Sequence, residues 1–121
     1  MSRERFTPRT QSDVAPVPFS SAEDAWFWFV QAWEARANGA RFSANLASQP
    51  RPCEPADILQ VVHRLYRQRK LIQDHLCVLL HYGRRLKAPN PHHRREQRAT
   101  ELWREAFAAL TPVLQTKGII P

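Results

Sequence analysis

Four consecutive residues, His92, His93, Arg94 and Arg95, stand where the last long helix of this chain is expected to begin, and Gln97 and Arg98 follow almost at once. Arginine donates to phosphate oxygens in a planar fork, and protonated imidazole does so through single N–H groups. A helix start contributes free backbone N–H groups and about half a positive charge, which together suit an anion. Cations placed there oppose the dipole at a cost of about 0.3–1 kcal/mol each. Arg94 and Arg98, four apart on one helical face, add a like-charge cost of roughly a few tenths of a kcal/mol. An anion supplied from outside would offset both terms, so the pattern predicts recognition of a polyanion.

The charge distribution points the same way. The 121 residues include 18 Lys/Arg and 11 Asp/Glu, a formal charge of +7, with a sequence pI near 10.4. Ten of those cations but only two acids fall in residues 60–98, a net of +8, while the remainder sums to −1. Arg64, Arg67, Arg84, Arg85 and Lys87 lie in this stretch and are the candidate phosphate holders. A basic balance of this kind favours nucleic acid, DNA ahead of RNA, or an acidic membrane surface.

Other chemistries find less support. No G-x-S-x-G, phosphate-binding loop, H-E-x-x-H or dinucleotide fingerprint is present, and three glycines leave little backbone to cradle a cofactor. Neither an enzyme nor a cofactor is expected. Glu101 and Glu105 are four apart and are expected to be solvated partners of Arg98 and Arg104. Cys77 and His81 have helical i, i+4 spacing, with Cys53, His63, His75, His92 and His93 elsewhere, but no Cys-x-x-Cys pair or zinc-finger spacing exists. No metal site is expected, and Cys77 is expected to be a small buried residue among apolar neighbours. Two cysteines, no secretory hydrophobic region and no long apolar run lead to the expectation of a cytoplasmic protein with reduced thiols and no membrane span.

The elements that must carry the cations follow from periodicity. Residues 1–18 mix arginines, prolines and polar residues without a period and are expected to form a disordered arm; residues 19–121 form the expected single helical domain. A first helix is predicted over residues 20–38, with Ser20 and Glu23 as a capping box and Gly39 closing it. Trp26, Phe29, Val30 and Trp33 share its inward face. Phe27 and Trp28 turn partly away, so the helix is either sandwiched in the core or offers Trp26, Phe27 and Trp28 to a homodimer or protein partner. Residues 40–55 read as a proline-rich connection.

A second helix is predicted over residues 55–69, with Ile58, Val61, Val62 and Leu65 inward and Leu59 and Tyr66 on the flank. A third opens near Asp74, turns Leu76, Leu79 and Leu80 inward, and ends at Gly83. The last helix is predicted over residues 90–114, with Asn90 as cap and Pro91 in its first turn. Its stripe is Ala99, Leu102, Trp103, Ala106, Phe107, Leu110, Val113 and Leu114. Thr111 before Pro112 marks a kink or restart, Gly118 stops the helix, and Ile119 and Ile120 fold back on the core.

Helix, short turn, short helix, turn and long helix with a basic start resembles the helix-turn-helix modules of bacterial regulators and of the sigma-factor type over residues 57–110. The resemblance implies a three-helix unit that sets the start of the last helix in the major groove. It makes His92, His93, Arg94, Arg95, Gln97 and Arg98 the recognition surface, with Arg64, Arg67, Arg84, Arg85 and Lys87 on phosphates. The connection over residues 84–89 is longer than the usual turn of such modules. The expected protein is therefore an all-α bundle of four main helices behind a disordered arm, acting as a small DNA-binding regulator. The competing reading is a protein-interaction or dimerisation module.

Overall fold

The computed structural model of the chain describes residues 15–38 and 50–121. Among them are four α-helices and no strand: α1 (Ala22–Ala37), α2 (Pro55–Arg67), α3 (Gln73–Arg85) and α4 (Gln97–Thr116), with a 3-10 turn at Arg94–Glu96. The all-α bundle expected from periodicity is thus present. Most of the proposed arm, the closing Gly39 and most of the 40–55 connection lie outside the described residues.

The aromatic helix α1 is the packing centre and touches the other three helices. Ala25 and Ala32 are completely or almost completely buried, and Trp26, Trp28, Phe29 and Val30 all bury nine-tenths or more of their surface. Apolar residues most of the way round α1 are therefore used for packing, as a sandwiched helix requires. This removes Trp26 and Trp28 from the expected partner surface, and half-buried Phe27 stacks on Trp103 of α4 at 5.9 Å. Trp33 behaves in the opposite sense to expectation: it is 42% exposed, with Phe29 of its own helix 5.8 Å away between ring centroids. Burial is not free for the indoles. Trp26 Nε1 donates to the Leu79 carbonyl at 2.8 Å and Trp103 Nε1 to the Glu23 carboxylate at 2.5 Å. Trp28 Nε1 has no partner among the described residues, a cost of about 1–3 kcal/mol that the surrounding apolar burial must exceed.

Helix ends differ from the sequence reading in instructive ways. Ser21, not Ser20, caps α1, accepting from the Asp24 N–H at 3.1 Å, while the Ser20 hydroxyl bonds the Asp24 carboxylate. Glu23 is thereby released to meet Trp103. In α2, Asp57 accepts from the Glu54 N–H at 2.7 Å, and the inward set Ile58, Val61, Val62 and Leu65 is as expected. Leu80 was expected inward, yet it is 44% exposed while its neighbour Leu79 is fully buried.

Gly83 does not end α3. The helix continues to Arg85, and the left-handed residue that closes it is Leu86, at φ 55°. Gly83 is instead where α1 comes closest: a Cβ there would lie 2.8 Å from Trp26 Nε1 and 2.9 Å from Val30 Cγ2. The glycine is required by a helix–helix approach rather than by a turn. At the other end of the bundle α4 runs through Pro112 without a break. Gly118 takes φ 75° and turns the chain, so that Ile119 and Ile120 are buried, as expected. The Ile119 carbonyl accepts from Phe19 N–H at 3.0 Å, and Val17 N–H donates to Pro50 at 2.9 Å. Phe19, the first residue of the expected domain, is therefore tied to the chain's end, and Val17 of the expected arm is bonded to residue 50.

Candidate nucleic-acid interface

The last helix begins seven residues later than its sequence signal. Asn90 and Pro91 form a turn, in which the Asn90 side chain accepts from the His92 N–H at 2.9 Å and its carbonyl from the His93 N–H at 3.1 Å. Asparagine offers the backbone this local alternative to a helix cap. His93 then caps the 3-10 turn, its Nδ1 accepting from the Arg95 N–H at 3.3 Å. Only at Gln97 does α4 begin, with Glu96 as the residue before its first turn.

This shift changes the electrostatic argument. His92 and His93 precede the helix, Arg94 and Arg95 lie in the 3-10 turn, and Gln97 and Arg98 alone occupy the first turn. The dipole at the helix start is met by the chain's own anion, Glu96. Arg94 and Arg98 are not a like-charge pair on one α-helix, and Arg98 instead pairs with Glu101 at 3.1 Å. An external anion is therefore not needed to explain the helix start.

Glu96 organises the whole segment. Its carboxylate accepts from the Asn90 N–H at 3.0 Å, its carbonyl accepts from the Thr100 hydroxyl at 2.8 Å, and His93 Nδ1 stands 3.9 Å from it. The Asn90 backbone bond is the chief reason that Glu96 titrates below the ordinary carboxylate value. The Tyr82 hydroxyl and the charges of His93 and Lys87 act in the same direction, against partial desolvation. Tyr82 is pushed up, first by burial and then by the Glu96 charge. A side chain from α3, the connection and the start of α4 are thus drawn round one carboxylate. Sequence reasoning missed it, although a lone acid three residues before the first stripe residue, Ala99, was the available signal.

The result is a cationic elbow between α3 and α4. Residues 84–98 hold six Lys/Arg, two histidines and one acid, a net of +5 with neutral histidines. Arg84 is held by Glu34 of α1 at 2.9 Å. Among the described residues, Arg85, Lys87, Arg94 and Arg95 make no ion pair, and all are exposed. Arg84 and Arg85 suit the C-terminal end of α3 on dipole grounds alone. Arg94 and Arg95 have no such structural use.

Arg64 and Arg67 do not join this elbow. Arg67 borders the same cleft as Gln73, at the opposite end of α3, and α3 has 13 residues, about 20 Å at 1.5 Å per residue. Arg64 borders Val113 and Lys117, near the C-terminal end of α4. The eleven predicted site residues are thus divided into a group of nine and an outlying pair.

A second polar pair was not foreseen. His75, buried in the first turn of α3, accepts from the Ile72 N–H through Nδ1 at 3.0 Å and meets Glu105 through Nε2 at 2.8 Å. Nδ1 is an acceptor there, so the ring proton sits on Nε2 and points at the carboxylate. Both nitrogens are engaged, so the ring links the start of α3 to α4. Glu105, expected beside Arg104, thus meets His75. Cys77, expected to be buried, is exposed, and both cysteines are free. Among the described residues no group of three or more His, Cys, Asp or Glu side chains could hold a metal ion, and no helix is long and apolar enough to cross a membrane.

Comparison adds nothing to this geometry: no family model, no curated protein and no solved structure matches the chain. The molecule is defined by its own fold and site, as a small all-α domain with a cationic elbow.

Proposed function

We propose that the protein binds nucleic acid through the elbow of residues 84–98, with duplex DNA as the first target and a small regulatory protein as the role. One observation supports the reading best. Arg94 and Arg95 are exposed, have no carboxylate partner among the described residues, and sit in a turn held by its own hydrogen bonds. Cations on a backbone already held lose less backbone freedom on meeting phosphate than cations on a loose segment. Arg85, Lys87, Arg94 and Arg95 neutralise phosphates, and His92 adds to this when protonated, while His93 holds the turn through Nδ1 as acceptor of the Arg95 N–H. Gln97 and Arg98, exposed in the first turn of α4, are the side-chain types that form paired hydrogen bonds with adenine and guanine edges. Arg64 and Arg67 lie too far along the bundle to serve the same few phosphates.

The test is fluorescence anisotropy with a labelled random-sequence duplex between about 50 and 200 mM salt. Each phosphate contact contributes a slope of about −0.9 in log affinity against log salt. Arg94→Glu with Arg95→Glu should flatten the slope by about two such contacts and weaken binding at least tenfold. Absence of binding at the lowest salt, or an unchanged slope in the variant, would remove the proposal.

A further inference from the structure

The outlying cations belong to a different kind of surface. Residues 58–73 carry four Lys/Arg, at positions 64, 67, 69 and 70, and no acid. They cross from the end of α2 to the start of α3, where a cleft of about 390 Å³ is lined by Tyr66, Arg67, Arg69, Leu71, Ile72 and Gln73. Two of its large apolar side chains stand open, Tyr66 at 43% and Ile72 at 48% exposed; Leu59 and Leu80, at 39% and 44%, are exposed further along α2 and α3. Tyr66 shares one face of α2 with Leu59, seven residues before it, and Ile72 is the extended residue that leads into α3. Together Tyr66 and Ile72 are the exposed apolar pair that lines the cleft. Arg69 holds φ 64°, a left-handed conformation seldom taken by a residue with a side chain, and so keeps the turn sharp.

We infer that this cleft docks an acidic, apolar-anchored segment of a partner protein, whose aliphatic or aromatic side chain enters between Tyr66 and Ile72 while its carboxylates meet Arg67, Arg69 and Lys70. Charge complementarity selects the acidic partner, since these three cations form no ion pair among the described residues. The apolar pair selects a peptide over nucleic acid. Phosphates gain nothing from Ile72, whereas an apolar centre rimmed by arginine is the usual composition of a protein-binding patch. The position, about 20 Å along α3 from the cationic elbow, leaves both surfaces free to work at once.

The probe is a short labelled peptide in which Glu and Asp flank Leu and Phe, compared with polyglutamate of equal length and with the same apolar pattern flanked by Lys. The full chain should bind the acidic–apolar peptide, and Ile72→Ser or Arg67→Glu with Lys70→Glu should weaken it at least tenfold. Arg94→Glu with Arg95→Glu should leave that affinity unchanged, which separates this surface from the nucleic-acid elbow. All substituted side chains are exposed, and thermal unfolding of each variant confirms that the fold is kept. No binding, or equal binding of polyglutamate, overturns the inference, because charge alone would then account for it. So does displacement of the peptide by duplex DNA in a manner that depends on Arg67, or a self-association in sedimentation that Ile72→Ser abolishes, since the occupant would then be nucleic acid or a second copy of the chain.

Discussion

The packing centre around α1 and the cationic elbow of residues 84–98 adjoin each other, yet they are held together by different means. Around α1 the order comes from close apolar contact. Trp26 and Val30 fit against α3 so tightly that Gly83 has no room for a Cβ. In the elbow no residue between Arg84 and Gln97 other than Pro89 is buried, and the order comes from hydrogen bonds to turns and to Glu96. The contrast shows how a small domain presents charge. Cations cannot be packed, so the segment that carries them is shaped by polar contacts and anchored to the part that can.

Substitutions should affect the two regions in different currencies. The largest loss of stability is expected in the centre: Leu79→Ala, at a fully buried position, should cost about 2–5 kcal/mol in chemical denaturation. Gly83→Ala comes next. Alanine favours a helix over glycine by about 0.8–1.0 kcal/mol, but the new Cβ would meet Trp26 Nε1 and Val30 Cγ2 at under 3.0 Å. Overpacking costs about 1–3 kcal/mol, so the variant should be net destabilised, and a midpoint above the natural protein's would show that α1 has room to move. In the elbow, Arg94→Glu with Arg95→Glu should shift stability by no more than about 0.5 kcal/mol while reducing DNA affinity. A large stability loss there would erase the distinction between the regions.

Smaller effects sharpen it. Glu96 has a lowered pKa in the folded state, so its contribution is fully present above the ordinary carboxylate pKa and is lost as the pH falls through the lowered one. Acidification across that window should release the Asn90 N–H, seen as a shift and faster exchange of that amide, while core amides stay protected. Glu96→Gln should abolish the pH dependence of the Asn90 amide. The cysteines offer the mildest test. Burial, reinforced by Asp57 and Glu54, pushes the Cys53 thiol up to about 11, whereas Cys77 is exposed on α3. At mildly alkaline pH a thiol reagent should label Cys77 well before Cys53, with little effect on either region.

Legibility in the sequence followed the physics of each feature. Apolar periodicity revealed α2 and the body of α4, because a stripe such as Leu102, Trp103, Ala106, Phe107 and Leu110 has only one side on which to be buried. In α1 it marked the helix and the burial of Trp26, Phe29 and Val30 but not the exposure of Trp33, which shares their phase. Local end signals were ambiguous for a related reason. Asn90–Pro91 suits a turn as well as a helix start, and Gly83 suits a close approach as well as a cap, so only the surroundings choose.

By itself, then, the chain's order of residues determined an all-α domain, four helices and the concentration of charge in residues 60–98, since backbone hydrogen bonding and side-chain period are local matters. Tertiary structure alone decided that the nine cationic and polar residues of the elbow stand together and Arg64 and Arg67 apart, that Glu96 answers the dipole of α4, and that His75 meets Glu105 across thirty positions of sequence. Those relations depend on which helices lie side by side, and packing the apolar faces of several helices at once is what sets that.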